Sequence, residues 1–451
     1  MKEINMSIQL KVDIIPGKPV VRQTSGCLDI LVSVAATTLE QMQSAPLPVS
    51  LAIVIDRSGS MSDGPLEDAK RVVATIIRGL RPVDRVAIVA YDDKVTIVQP
   101  LVHCEDTDSI IAAIMEIFPG GSTNLFGGFE AGADILLASP GLGHNRILLI
   151  SDGCLNSGLS DPIAIADRVS LVASRGITTS TLGISSHFEE DIMTKMAEAG
   201  LGRAHYGQTA ADLIDCFKEE IEGLFATQAT KVTASLRVLD TSVTAMLLSP
   251  EYGPIGMETP LQPLVEGGSS WLLMRVTHGA LALGERELLK VSVRAITRTG
   301  EEVRSEVSVL AIRVVSDEEE ALVPLNGVVR QRLDEFNARR VYNEIRVCIQ
   351  RGDKAEARRL LDQLEASDSS SAFVRANIET LKELIHQNEQ MALKELHYSA
   401  DRMRSRQMST PEISAVQNNQ LFDSFSPAIP SYVRSKRSVG RSVDPDDNQS
   451  A

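Results

Sequence analysis

Several features that mark large protein classes are missing from this sequence. Its cysteines are few and widely spaced, five in number and without a CxxC pair, at Cys27, Cys104, Cys154, Cys216 and Cys348. We therefore expect reduced thiols in place of a disulfide framework. No stretch reaches the roughly 18 uninterrupted apolar residues of a membrane-spanning helix, which predicts that no segment spans a membrane.

Positive charge is also scarce relative to negative charge. The 45 Lys and Arg residues face 60 Asp and Glu residues, and the formal net charge is −15. Such a balance argues against a general nucleic-acid binder and against a protein that adheres to acidic membranes. Residues 1–17 alternate polar and apolar side chains and lack the apolar run of a secretory signal, so we expect a cytoplasmic location.

The pattern of apolar residues divides the chain, whose 451 residues are too many for one core. Within residues 47–226, short apolar strands alternate with helices predicted at 65–80, 106–118, 127–138, 161–175, 188–199 and 209–226. This alternation predicts an α/β domain with a doubly wound, Rossmann-like and mostly parallel sheet. The run VTIVQP follows RVAIVAYDD so closely that we expect an antiparallel edge strand there.

Residues 227–316 change to alternation at period two, with Gly and Pro clusters between the runs, which is typical of a β-sandwich. Residues 1–46 contain two similar stretches, at 6–15 and 27–36, which predict a hairpin, and residues 37–48 look like a connector. Because a hairpin alone is marginal in water, we expect these strands to complete the sandwich. The α/β domain is then inserted between strands of the sandwich.

Residues 317–404 show helical spacing and predict a small helical bundle, with a break at Gly352 and a third helix from 372 to 402. The tripeptide Arg351-Gly352-Asp353 matches the sequence that integrins recognise. A helix ended by Gly and followed by an Asp cap accounts for all three residues. Residues 405–451 are rich in Ser, Asn, Gln, Asp and Pro, so we expect a disordered tail.

The stretch VSLAIVIDRSGSM, at 49–61, carries the strongest chemical signal. Its apolar residues suit a strand that is buried on both faces of a parallel sheet. Asp56, Ser58 and Ser60 follow, and Gly59 permits a sharp bend, so one carboxylate and two hydroxyls can face a common point. The same residue types also build ordinary turns and helix caps, so the string by itself leaves both interpretations open.

Two later stretches favour a metal site. GGSTNL, at 120–125, offers Thr123 from a glycine-led loop, and ILLISDG, at 147–153, is a second apolar strand followed by Asp152. Parallel strands gather their carboxyl ends at one edge of a sheet, so we expect these oxygens beside Asp56. The order Asp-x-Ser-x-Ser, then Thr, then Asp resembles the metal-ion-dependent adhesion site of the von Willebrand factor A domain, over residues 47–226.

The resemblance implies a role for each residue. Ser58, Ser60 and Thr123 would bind a cation directly, while Asp56 and Asp152 would hold it partly through water. Hard oxygen ligands suit Mg²⁺, with Mn²⁺ or Ca²⁺ as alternatives. Inter-alpha-trypsin-inhibitor heavy chains and many bacterial members of the family are similar in flanking this domain with a β-sandwich.

The resemblance further implies that the metal binds an Asp or Glu side chain of a protein partner, in a non-enzymatic scaffold or assembly factor. The alternative is a regulatory or substrate-delivering subunit of an AAA-type ATPase of the MoxR or chelatase kind. The chain has no GxxxxGK[ST] or GxSxG motif, and Ser58 stands where a phosphoaspartyl phosphatase would need a second Asp. We therefore expect no catalytic activity.

Overall fold

The computed structural model describes most of the chain. The described residues are 8–38, 48–62, 64–140, 143–152, 157–184, 190–207, 226–248, 258–297, 300–367 and 371–387, with isolated positions at 214, 369 and between 389 and 409. Most of the predicted helix 209–226, of the predicted connector 37–48 and of the predicted tail lies outside them. Within this part of the chain, no helix is long and apolar enough to cross a membrane.

The chain begins with strands that belong to two different sheets. They are β1 (Ile8–Pro16), β2 (Val20–Arg22) and β3 (Gly26–Thr38). β1 and β3 pair in antiparallel fashion, as the sequence predicts for a hairpin. The short strand β2, which the sequence analysis assigned to the turn, leaves this pair and joins the opposite sheet.

The α/β domain follows, and its sheet has six strands. They are β4 (Val49–Asp56), β5 (Arg85–Tyr91), β6 (Val95–His103), β7 (His144–Ser151), β8 (Ile177–Ile184) and β9 (Leu201–Gly207). Their order is β6-β5-β4-β7-β8-β9. Only β6 is antiparallel to its neighbour, which confirms the predicted edge strand.

Helices cover both faces of this sheet. They are α1 (Pro65–Gly79), α2 (Thr107–Met115), α3 (Leu125–Ala138), α4 (Pro162–Ser174) and α5 (Glu190–Ala199). All eight residues of β4 are buried, because Ile53 and Ile55 pack on the α1 and α2 side while Ala52 and Val54 pack on the α3 side. The doubly wound α/β fold is therefore as predicted.

The β-sandwich uses the chain on both sides of the α/β domain. Its later strands are β10 (Thr227–Val238), β11 (Val243–Leu247), β12 (Glu258–Pro260), β13 (Leu264–Val265), β14 (Gly268–His278), β15 (Gly284–Thr297), β16 (Glu302–Arg304) and β17 (Ser308–Val315). One sheet runs β1-β3-β14-β11 and the other β12-β10-β15-β17-β2. The first strands therefore supply both sheets, and their Ile30 and Val32 share one core with Val291.

Helices follow the sandwich. They are α6 (Asp317–Leu322), α7 (Gly327–Gln350), α8 (Lys354–Ala366) and α9 (Ala372–Gln387). Gly352, at φ +77°, ends α7, and the Asp353 side chain caps α8, so the Arg-Gly-Asp tripeptide is a helix junction here. Met408–Ser409 form a short strand, β18, on β14, where the sequence predicted disorder. The domain boundaries drawn from the sequence stay predictions.

Candidate functional site

The first part of the candidate site is the turn that follows β4. Asp56 is the last residue of that strand and is fully buried. Its Oδ1 accepts a hydrogen bond from the backbone N–H of Ser58 at 2.8 Å, which folds the chain back at the strand end. The hydroxyls of Ser58 and Ser60 lie 3.1 Å apart. The turn therefore presents one carboxylate and two hydroxyls together, as the sequence predicts.

The second part is the glycine-led loop before α3, which is bound directly to this turn. Gly59 N–H donates to Gly121 O at 2.9 Å, and Gly120 N–H donates to Arg57 O at 2.6 Å. A side chain at Gly120 would collide with the Asp92 carboxylate, because a Cβ there would lie 1.8 Å from Asp92 Oδ2. The loop can thus approach closely only because it carries glycine. It also carries the fully buried Thr123, and the next residue's N–H, that of Asn124, donates to Asp92 O at the end of β5.

The third part comes from β7, which lies beside β4 in the sheet. Strand order reverses here, since β5 continues on one side of β4 and β7 on the other. Open α/β sheets bind ligands at such a switch point, outside the carboxyl ends of the strands. Asp152 directly follows β7 and is only 4% exposed. Ser151 Oγ donates to Asp56 Oδ2 at 2.6 Å and so joins the two strand ends.

Without a cation, burial and the neighbouring negative charge of Asp152 make it unfavourable for Asp56 to be ionised. Burial raises the pKa of Asp56 to about 6, and the nearby Asp152 adds to the rise, although hydrogen bonds from Ser151 and Ser58 oppose it. Tyr91, next to Asp56 across the sheet, is also fully buried, and its pKa lies well above its ordinary value because of burial and Asp56. A positive charge at this point would relieve both effects.

The structure also shows supporting residues that the sequence analysis missed. Asp92 follows β5 and accepts hydrogen bonds from the N–H groups of Lys94 at 2.8 Å and Gly121 at 3.2 Å. Its carboxylate also forms an ion pair with Arg57 at 3.0 Å, which ties the two loops together. Like Asp56 and Asp152, Asp92 stands at the end of an apolar strand, and that position was the signal available in the sequence.

The donor set is suitable for a hard cation. Among the described residues, no group of three or more His, Cys, Asp or Glu side chains could hold a metal ion. The oxygen groups that follow the strands at the switch point are the two carboxylates of Asp56 and Asp152 and the hydroxyls of Ser58, Ser60 and Thr123. Oxygen ligands of this kind fit Mg²⁺, which commonly uses one or two carboxylates and retains water. The residues present thus fit the group that the sequence pattern implies.

Comparison with known proteins agrees with this fold. The family model of the von Willebrand factor type A domain matches residues 50–219. The chain is 33% identical over 222 residues to YfbK of Escherichia coli, which is 48% of this chain and 37% of that protein. It is 27% identical over 174 residues to a protein of Synechocystis, 38% of this chain and 41% of that protein. The chain therefore spans about two fifths of the length of these curated relatives.

Solved structures share the fold over most of the chain. A von Willebrand factor type A protein from Catenulispora acidiphila superposes with a TM-score of 0.71 at 17% identity, covering 89% of this chain and 98% of that one. The ArnB paralog VWA2 from Sulfolobus acidocaldarius gives a TM-score of 0.59 at 14% identity, covering 88% and 99%. Residues 50–219 thus match the von Willebrand factor type A domain, and the two solved structures share the fold over most of the chain. Domains of this family generally mediate interactions between proteins.

Proposed function

We propose that this protein is a non-enzymatic interaction module that binds an acidic side chain of a protein partner through a divalent cation, Mg²⁺ in the first place. The observation that supports the proposal is that buried Asp56 and Asp152 stand at the carboxyl ends of neighbouring parallel strands, and that the Ser58–Ser60 turn is hydrogen-bonded to the loop that carries Thr123. The metal ligands in this proposal are Asp56, Ser58, Ser60, Thr123 and Asp152.

The charges support a binding role. The two carboxylates of Asp56 and Asp152 carry two negative charges, which equal the charge of a divalent cation. The remaining proposed ligands are neutral hydroxyls, so the protein adds no excess negative charge that would repel a partner carboxylate. A bound Mg²⁺ supplies positive charge and exchangeable water positions, one of which a partner carboxylate can take. Ser60 is exposed whereas Ser58 and Thr123 are buried, so the site opens to solvent on the Ser60 side. A partner reaches the metal from that side.

The glycine-led loop before α3 and the Asp92–Arg57 ion pair fix the geometry of the site before metal binds. Gly59 and Gly121 are joined by a backbone hydrogen bond, so the Ser58–Ser60 turn and the Thr123 loop cannot separate without breaking it. Such preorganisation lowers the cost of ordering the ligands when the cation arrives. The absence of a motif for nucleotide binding or nucleophilic catalysis favours binding over catalysis as the role of these oxygens.

Calorimetric titration of the EDTA-treated full chain with MgCl₂ tests the metal site. We expect one site in the wild type and a loss of affinity of at least tenfold in Asp56→Ala, since one of the two balancing charges is removed. The matched control is Asp134→Ala, which removes an exposed carboxylate from the middle of α3. Equal Mg²⁺ affinity in the wild type and Asp56→Ala would refute the site.

The partner is tested separately, by affinity purification of the full chain followed by mass spectrometry. We expect a protein that is recovered with Mg²⁺, lost with EDTA and lost with Thr123→Val, which deletes one hydroxyl at nearly constant volume. If the same proteins are recovered with EDTA as with Mg²⁺, binding does not pass through the metal.

A further inference from the structure

A cavity of about 120 Å³ lies at the amino ends of strands β7 and β8, where the α/β domain meets the sandwich. Asp56 and Asp152 stand at the other, carboxyl ends of the strands of the same sheet. We call this cavity the junction cavity. Residues of both domains line it, among them Asn145, Arg146 and Thr178 at the starts of β7 and β8, and Lys231, Thr233 and Arg294 on β10 and β15. One water molecule needs about 10–15 Å³ of cavity volume, so the junction cavity has room for a small polyatomic group.

The junction cavity is basic in a protein of net charge −15. Arg146, Lys231 and Arg294 line it, and no Asp or Glu is among its described lining residues. Arg294 is paired with Glu258, so its charge is largely offset. Arg146 is only 9% exposed, and its Nε donates to Thr178 Oγ1 at 2.9 Å. Burial, together with the nearby Arg203, lowers the pKa of Arg146 to about 9.

The backbone around the junction cavity is strained. Among the described residues, Leu201 at φ +53° and Lys231 at φ +50° are the only non-glycine residues with positive φ, and both line the cavity. Each lies at an irregularity in strand pairing, between Thr179 and Thr181 of β8 and between Thr230 and Thr233 of β10. Bulges redirect side chains, and strained residues gather at functional sites, because elsewhere they only cost stability.

The strained Lys231 is placed by a specific contact. Its side chain passes over Gly176, where a Cβ would lie 2.0 Å from Lys231 Cε. The C-terminal end of α4 is close by, and three of its last carbonyls already accept hydrogen bonds: Arg175 N–H donates to Val172 O, Gly176 N–H donates to Ala173 O and Ser174 Oγ donates to Leu171 O. The end of the helix therefore adds little exposed negative charge to the cavity.

We propose that the junction cavity binds a phosphate-sized oxyanion, as free phosphate or as the phosphoryl group of a small molecule. Guanidinium, ammonium, amide and hydroxyl donors line it, and these are the groups that hold phosphate oxygens in proteins. An anion there accepts hydrogen bonds from these donors. It also joins the α/β domain to the sandwich, since Arg146 and Lys231 belong to different domains.

A second cavity, of about 320 Å³, adjoins the first and shares Ala173, Ser174, Leu201 and Pro260 with it. It has room for the organic part of a phosphorylated molecule. Free phosphate and a phosphoryl group are therefore distinguished by comparing orthophosphate with O-phosphoserine. Tighter binding of O-phosphoserine assigns the site to phosphorylated molecules, and equal or weaker binding assigns it to the free anion. Both results support an oxyanion site.

The test is calorimetric titration of the full chain with sodium phosphate at constant ionic strength in chloride buffer. We expect saturable binding in the wild type and an affinity at least tenfold lower in Lys231→Asn, because Asn tolerates the left-handed backbone but lacks the charge. Lys290→Asn is the matched control, since Lys290 is exposed on β15 and does not line the cavity. No saturable binding in the wild type, or undiminished binding in Lys231→Asn, overturns the proposal.

A stability measurement separates a binding role from a structural one. Lys231→Gly relieves the positive φ, so we expect a higher melting temperature than the wild type without phosphate and a smaller rise on adding it. A lower melting temperature without phosphate shows that Lys231 is there for packing and contradicts the proposal. Phosphate binding should be the same in EDTA and in Asp56→Ala, so this test is independent of the metal site.

Discussion

Ser151 Oγ donates a hydrogen bond of 2.6 Å to Asp56 Oδ2, and this bond joins the ends of two neighbouring parallel strands at the switch point. Ser58 N–H holds the other carboxylate oxygen. Both oxygens of Asp56 are thus oriented by neutral donors, which do not cancel the negative charge of the carboxylate. The Asp56 side chain also contacts the Ser58 hydroxyl of the turn. The sheet itself positions the acid on which the proposed metal site depends.

Ser151→Ala tests this orientation. The variant loses one of the two donors to the Asp56 carboxylate, and loss of a group that orients a metal ligand typically weakens metal binding by about tenfold or more. We expect a loss of Mg²⁺ affinity of about tenfold by calorimetry, with the fold retained. Ser109→Ala, an exposed residue of α2, is the control and should bind Mg²⁺ as the wild type does. Unchanged affinity in Ser151→Ala would mean that this hydrogen bond has no part in the site.

Asp56→Asn should separate stability from function. The raised pKa of Asp56, about 6, means that keeping the buried carboxylate ionised at neutral pH costs free energy, mainly through desolvation. The amide keeps an acceptor without the charge, so we expect the metal-free variant to be more stable than the wild type by roughly 2 kcal/mol.

Thermal unfolding in EDTA and in Mg²⁺ measures both effects. Mg²⁺ should raise the melting temperature of the wild type and leave that of Asp56→Asn almost unchanged. The prediction fails if the variant in EDTA melts below the wild type, because Asp56 would then stabilise the fold without a metal.

Asp84 should govern stability in acid. It is fully buried, and its carboxylate accepts hydrogen bonds from the N–H groups of Val49 at 2.8 Å and Arg81 at 2.7 Å and from the Arg81 guanidinium. Burial alone would raise its pKa, but these partners outweigh it and hold the pKa below its ordinary value of 3.8. The carboxylate therefore stabilises the fold above about pH 4, and this stability is lost as the pH falls towards the depressed pKa.

Urea unfolding of Asp84→Ala at pH 7 should show a loss of about 3 kcal/mol, because two donors and a guanidinium lose their buried partner. At pH 3 the difference from the wild type should be smaller. Asp108→Ala removes an exposed carboxylate from the first turn of α2 and is expected to cost far less. An equal effect of Asp84→Ala at both pH values would contradict the assigned ionisation.

Ile30→Ala tests whether the first strands complete the sandwich. Ile30 on β3 is fully buried in a core that includes residues of β14 and β15, so truncation should cost about 3 kcal/mol. The fluorescence of Trp271, the single tryptophan, reports on this sheet because Trp271 lies opposite Ser33 of β3. Ile97→Ala on β6, where the side chain is 52% exposed, is the matched control. Equal denaturation midpoints for the two variants would show that β3 is not part of the sandwich core.

The sequence alone determined the features that depend on residues close together in the chain. The apolar run of β4 followed by Asp56, Ser58 and Ser60 predicts a buried strand with a polar turn, and the structure contains both. Gly352 followed by Asp353 likewise predicts the junction of two helices, because a helix end and a helix cap are local events.

Only the tertiary structure decided which distant segments meet. Ser151 and Asp56 are 95 residues apart, and their hydrogen bond exists because β7 pairs with β4. The crossing of β2 to the second sheet and the strained Lys231 at the junction cavity have no signal in periodicity or composition. Strand pairing between distant segments depends on the free energy of the whole packed core. A local sequence pattern shows which face of one strand is apolar, but it does not show which other strand will pair with it.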